Sequence, residues 1–380
     1  MHDLRQVLSS GHRPQRRREA GHGLGSTAFA RYQAGGLIML ATGIRHSIVR
    51  RLPDSAELDD VATDVADRLQ SIGRRVPPDD WLIVGGSFAR GEPTFVRHEQ
   101  QHVLVSDIDF LYVHSGQRPS MPVAELVGLA EQYFSTVDLM VLPLSGYRRI
   151  RTSLGYDFKN LGVALTDTGL PGHIPVELDA RDAYEILLYY TQAYFWCGLH
   201  DSWLNGENTA QHHLVTNRLC MKILRATAML DGAYAHHDFD RMPRPIADRM
   251  SAELRWRRDP SQPPMDPGRF WTYLAEALTR FDTEFGQRRS DAVNYSRYAT
   301  TSSGQIVARH HQAVHQLARA MADAWLVTGD PRALATVKHR AWAEYTGWDS
   351  THIQPSPEDY FRRHKQDIHD HLLAMKVQVV

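Results

Sequence analysis

Trp81-Leu82-Ile83-Val84-Gly85-Gly86-Ser87-Phe88-Ala89-Arg90-Gly91-Glu92, with Ser106-Asp107-Ile108-Asp109-Phe110-Leu111-Tyr112-Val113 downstream, decides how this chain is read. Leu82-Ile83-Val84 is short, partly β-branched and preceded by the breakers Pro77-Pro78-Asp79-Asp80, which predicts a buried strand. The glycines after it permit a tight turn with backbone amides close to a ligand, and Ser87 is expected to open the next helix as its N-cap. An anion fits such a turn. In the second run Val103-Leu104-Val105 leads to Asp107 and Asp109, and Phe110 to Val113 continue the strand. Side chains alternate across a sheet, so Asp107 and Asp109 share one face about 7 Å apart, and Ile108 faces the other way. Two carboxylates so placed repel each other unless a cation lies between them.

Outward from this centre, helical spacing runs from Thr27 to Arg50 and from Ala56 to Ile72 upstream, and from Val123 to Phe134 downstream. Thr136-Val137-Asp138-Leu139-Met140-Val141-Leu142 reads as a neighbouring strand with one acid, Asp138, in an apolar run. A lone buried carboxylate is costly, so Asp138 is expected to face a cation or a solvent-filled cleft. Beyond Arg181 the chain changes to long helical patterns, Tyr184 to Leu199 and Thr209 to Leu230, then Phe270 to Phe285, Ile306 to Leu326, Ala333 to Tyr345 and Pro357 to Met375. The proline- and arginine-rich stretch Asp240 to Asp266 reads as a loop or crossover. On the helix Asn217 to Arg225, residues Arg218, Lys222 and Arg225 share a face, which is either a solvated basic face or a lid over phosphates.

Magnesium takes hard oxygen ligands and keeps several waters, so convergent carboxylates plus substrate phosphates make a natural site for it. Two such ions can serve the attacking and the leaving oxygen of an in-line displacement. Gly86-Ser87-Phe88-Ala89-Arg90-Gly91-Glu92, Ser106-Asp107-Ile108-Asp109 and Val137-Asp138-Leu139 together resemble the DNA polymerase beta-like nucleotidyltransferase superfamily, especially its small bacterial and antibiotic-modifying branches. The resemblance covers roughly residues 80 to 168. It implies Gly86 and Ser87 at a triphosphate, Asp107 and Asp109 on both metal ions, and Asp138 as third ligand and base for the acceptor hydroxyl. Arg90 either braces the turn or touches ligand, Lys222 is either a lid cation over the triphosphate or part of a solvated basic face, and Glu177 or Asp179 are the substitutes for Asp138. Asn160-Leu161-Gly162-Val163-Ala164-Leu165 looks like a helix end feeding an edge strand. The gap between Ser87 and Asp107 is longer than in compact members, with Pro93 to His102 inserted as a loop or hairpin.

The expected fold is therefore α+β, a nucleotidyltransferase-type mixed sheet with helices followed by an all-α helical domain. Expected divisions are a flexible leader over 1–24, a catalytic domain over 25–180 and a helical substrate-binding or lid domain over 181–380. With 43 Lys+Arg against 44 Asp+Glu, the chain lacks the broad positive field of a general nucleic-acid binder. Two cysteines in helical-looking segments exclude a disulfide framework, and no run is long and apolar enough to cross a bilayer, so a cytoplasmic enzyme is expected. Adjacent histidines such as His212-His213 lack the i, i+4 spacing of a zinc helix and read as surface residues. Tyr189, Tyr190, Trp196 and Trp203 read as core rather than as a stacking platform. Arg148, Arg149 and Arg151 read as exposed loop charge. The expected function is Mg2+-dependent transfer of an NMP from an NTP, such as ATP, to a hydroxyl of a small molecule, with Mn2+ as a substitute ion. The alternative is an RNA- or tRNA-directed, toxin-like enzyme or a bacterial cyclic-oligonucleotide synthase.

Overall fold

A computed structural model describes residues 56–90, 92–98, 101–104, 106–150, 153–166, 176, 178, 180–207, 209–231, 242–258, 265–285, 302–346 and 356–362. The leader, the helical pattern from Thr27 to Arg50, Arg151, Glu177 and Asp179 lie outside them. The described residues belong to one compact unit spanning Leu40–Val380.

The fold is α+β. Helix α1 (Ala56–Gly73) leads into strand β1 (Asp80–Val84), the short helix α2 (Gly86–Ala89), a hairpin of β2 (Phe95–His98) and β3 (Gln101–Leu104), and strand β4 (Ile108–His114). Helix α3 (Val123–Ala130), strand β5 (Val137–Pro143), helices α4 (Leu144–Arg149) and α5 (Ser153–Tyr156), a π-helical turn over Asp157–Leu161 and strand β6 (Val163–Ala164) complete this part. The main sheet has the order β5-β4-β1-β6. Strands β1 and β4 run antiparallel, β6 is antiparallel on the β1 edge, and β4 and β5 run parallel.

Strand alternation sorts the core onto the two faces of the sheet. Leu82, Val84, Ile108, Phe110 and Tyr112 pack against Val65, Leu69 and Ile72 of α1 and Leu126 of α3. Ile83, Leu111 and Val113 face the other way, onto Leu142, Tyr147, Ile150 and Phe158. Asp109 belongs by alternation to that second face, at the start of β4. The hairpin is a separate two-stranded sheet, and it occupies the insertion read at Pro93 to His102. Val103 and Leu104 therefore do not lead into the aspartate strand. That strand starts at Ile108, after a bend at Ser106, and Asp107 precedes it.

The second half is helical: α6 (Ala180–Trp196), α7 (Leu199–Leu204), α8 (Ala210–Leu230), α9 (Arg244–Arg258), α10 (Gly268–Phe285), α11 (Ser302–Thr328) and α12 (Pro331–Thr346), with a further turn at 357–362. Its core joins Leu187, Tyr194, Leu224, Trp271, Leu278, Leu317 and Trp342. Helix α8 starts on a capping box, with the Thr209 hydroxyl accepting from the His212 amide. The stretch read as a loop, Asp240 to Asp266, contains α9. Pro243 and Pro245 stand at its start, where the ring is tolerated, and Pro260, Pro263 and Pro264 follow its end, so the residues between them continue as helix. Among the described residues no helix is long and apolar enough to cross a membrane.

Candidate active site

The site begins where β1 ends. The Gly85 amide donates to the Asp109 carbonyl (2.9 Å), carrying the β1–β4 ladder one step past the strand. Gly86 then turns the chain at φ 58°, and a β-carbon there would fall on the Asp109 carboxylate. Glycine is required at this position for two separate reasons, the left-handed backbone and the carboxylate packed against it. Ser87 is not the N-cap expected from the sequence. The turn starts earlier, with Gly85 in the cap position, so Ser87 lies inside α2. Its hydroxyl is buried and has no hydrogen-bond partner, an unusual state for a polar atom that a ligand can relieve.

Two of the acids read from the sequence, Asp109 and Asp138, lie on adjacent parallel strands, and Asp107 directly precedes the first of those strands. Asp109 is in register with Asp138, and in-register residues of parallel neighbours point to the same face. Asp107 stands two residues before Asp109. Burial, reinforced by the negative charge of Asp107, pushes the Asp109 carboxyl up to about 6, against the pull of Arg90, Arg218 and Lys222. Burial acts on Asp107 in the same sense, but the Arg218 charge and hydrogen bond hold it below the usual carboxylate range. Asp138 is exposed at the strand edge.

Helix α8 supplies the opposite charge. Arg218 Nη2 donates to Asp107 Oδ2 at 3.2 Å. That pair is open to solvent, with Arg218 48% and Asp107 27% exposed, so it contributes little to stability. Lys222 lies one turn on, its Nζ 5.5 Å from the centre of the Tyr190 ring. Burial and the neighbouring Arg90 charge lower its pKa. Arg225, the third member of this face, is buried and pairs with Glu92. Arg90 is buried as well, in ion pairs with Glu92 and Asp157, contacts of the bracing kind. Arg148 and Arg149 are exposed on α4. Tyr189 and Tyr190 are half-buried beside the site, and the charges of Asp138 and Arg218 reach Tyr189.

Three participants escaped the sequence reading. Glu92 and Asp157 hold Arg90, and Arg257 of α9 donates to the Thr94 hydroxyl. Glu92 stood within the quoted motif and its charge next to Arg90 was a usable signal. Asp157 and Arg257 had none, because their partners are 67 and 163 residues away along the chain.

The donor set suits a hard divalent cation. Asp107 and Asp109 are a like-charged pair lacking full compensation, and Asp138 lies in register beside them. Mg2+ needs one or two carboxylates when waters and phosphate oxygens complete its shell. Among the described residues no group of three or more His, Cys, Asp or Glu could hold a metal ion. Comparison of the chain with known protein families, with curated proteins and with solved structures finds no match.

Proposed function

We propose that this chain is a Mg2+-dependent nucleotidyltransferase, with a nucleotidyltransferase-type sheet as its catalytic part and the helices beyond residue 180 as its substrate-binding lid. It moves an NMP from an NTP to a hydroxyl of a small-molecule acceptor and releases pyrophosphate. One observation carries the reading. Asp107 and Asp109 stand at the head of one strand with Asp138 in register on the next, beside a glycine turn that touches Asp109 and beneath a helix bearing Arg218 and Lys222.

Held by Asp107, Asp109 and Asp138, Mg2+ or Mn2+ would supply charge neutralisation for the attacking and leaving oxygens. Ser87 offers its unpartnered hydroxyl, and Gly86 and Ser87 offer first-turn amides, to the terminal phosphates. Arg218 and Lys222 face the same anion from the helical side. Asp138, exposed and next to Asp109, is placed to take the proton of the acceptor hydroxyl. The acceptor oxygen then bonds to the α-phosphorus as the bond to the bridging oxygen breaks, and the electron pair leaves with pyrophosphate. The balanced net charge supports a small acceptor over RNA. Dependence on NTP is consistent with a cytoplasmic setting.

The test is incubation with each labelled NTP and Mg2+, with and without RNA and a metabolite extract, followed by mass spectrometry of the products. A nucleotidylated small molecule is expected. Labelled RNA would move the assignment to the RNA-directed alternative. The D107A/D109A double variant is expected to lose at least about a thousandfold in rate. Full activity in that variant would overturn the mechanism.

A further inference from the structure

Arg257 differs from the other guanidiniums of the site in what surrounds it. Arg90, Arg218 and Arg225 each face a carboxylate. Among the described residues Arg257 has no such partner. Its Nε donates to Thr94 Oγ1, and its Nη1 lies 3.8 Å from Met221 Sδ. The charges nearest in effect are Arg218 and Arg90, of its own sign, with Asp107 opposing them. Burial, followed by these repulsions, lowers its pKa to about 10, so it stays charged at neutral pH. A hydroxyl and a thioether do not fully compensate a half-buried cation. Lys222 is in a similar position, with an aromatic ring face as its neighbour. Among the described residues two cations that form no ion pair with a carboxylate, Arg257 and Lys222, thus accompany the Arg218–Asp107 pair.

The arginine is held to the acidic strand through the backbone. Thr94 accepts from Arg257, and the Thr94 amide donates to Ser106 Oγ at 2.7 Å, one residue before Asp107. The position of Arg257 is therefore tied to the segment that presents the first carboxylate.

We infer that Arg257 is a polyphosphate-binding residue, which with Lys222 meets the triphosphate of the nucleotide, and its pyrophosphate product, from the helical side of the site. This rests on the nucleotidyl-transfer reading for the identity of the natural ligand. The recognition itself requires a polyanion of the phosphate class, for which a planar guanidinium fork is suited.

Calorimetric titration of the full chain with inorganic tripolyphosphate and Mg2+ tests it directly. The wild-type chain is expected to bind, R257Q to bind about tenfold more weakly or worse, and R257K to recover part of the loss. T94V, which removes the hydrogen bond to Arg257 but keeps the cation, is expected to stay within about threefold of wild type. Thermal melting of each variant checks that the fold persists. Equal binding by R257Q and wild type, or no binding by wild type, overturns the assignment. So does a T94V loss as large as that of R257Q, since Arg257 would then serve only to hold the hairpin base. If tripolyphosphate behaves as expected while no NTP binds or yields product, Arg257 keeps its anion and the nucleotidyl-transfer reading fails alone.

Discussion

Gly86 concentrates at one residue what the site demands of the chain, a left-handed turn and room for the Asp109 carboxylate. G86A should strain the backbone and displace Asp109. Activity is expected to fall at least about a hundredfold, a larger effect than the loss in stability, and steady-state kinetics beside a melting curve separate the two. His200 makes a different prediction. It is fully buried, neither ring nitrogen has a hydrogen-bond partner, and burial lowers its pKa from 6.5 to about 4. Between those values the unfolded chain binds the proton and the folded chain does not. The resulting stability is complete above about pH 6.5 and is lost as pH falls toward 4, by roughly 2–3 kcal/mol. H200L should flatten that dependence without loss at pH 7, as urea unfolding at pH 7 and pH 4.5 would show. At this scale the acids were legible because charged residues at the head of or within apolar strand patterns stand out in the sequence. His200, Asp157 and Arg257 were not, because their roles come from neighbours that only the folded chain brings together.

Among the elements, most helices declared themselves through apolar spacing, which reports burial on one face. Helix α9 did not, since prolines crowd both its ends and their local meaning differs: a start on one side and a stop on the other. The break between β3 and β4 was equally hidden. Val103-Leu104-Val105 is as apolar as a strand leading to Asp107 would be, and the separation depends on the Thr94–Ser106 hydrogen bond closing the hairpin base. Because the hairpin is not part of the main sheet, replacing residues 95–104 with a short glycine-containing turn should leave the four-stranded sheet folded. Circular dichroism is expected to show the helix content unchanged. Loss of cooperative melting would show instead that the hairpin is needed for the fold. The β4–β5 register is less forgiving. A slip of one residue in β5 would carry Asp138 to the opposite face, away from Asp109.

Over the whole molecule, the two halves are joined by buried charge. Glu92 pairs with both Arg90 and Arg225, and Arg90 also reaches Asp157, so the glycine turn, the π-helical turn and α8 share one network. Removing one partner from a buried network leaves a charge uncompensated. E92A is expected to cost roughly 3–5 kcal/mol and to let the helical half and the sheet melt separately in calorimetry. A loss under about 1 kcal/mol with a single transition would show that the network couples nothing. The change in composition near Arg181 announced two unlike halves, but nothing announced this joint, whose members look like ordinary surface charges until they are buried.

The Arg218–Asp107 contact spans 111 residues, which fixes an order of events during synthesis. At about 5–20 residues per second, a ribosome releases the aspartate strands several seconds before α8. Throughout that interval the nascent sheet carries paired negative charge at one end without the guanidinium that pairs with Asp107. On the nucleotidyl-transfer proposal a dissolved divalent cation would be the partner that fits, and the growing chain would meet it before it meets its own arginine. Arg218 arrives last, as a competitor for Asp107.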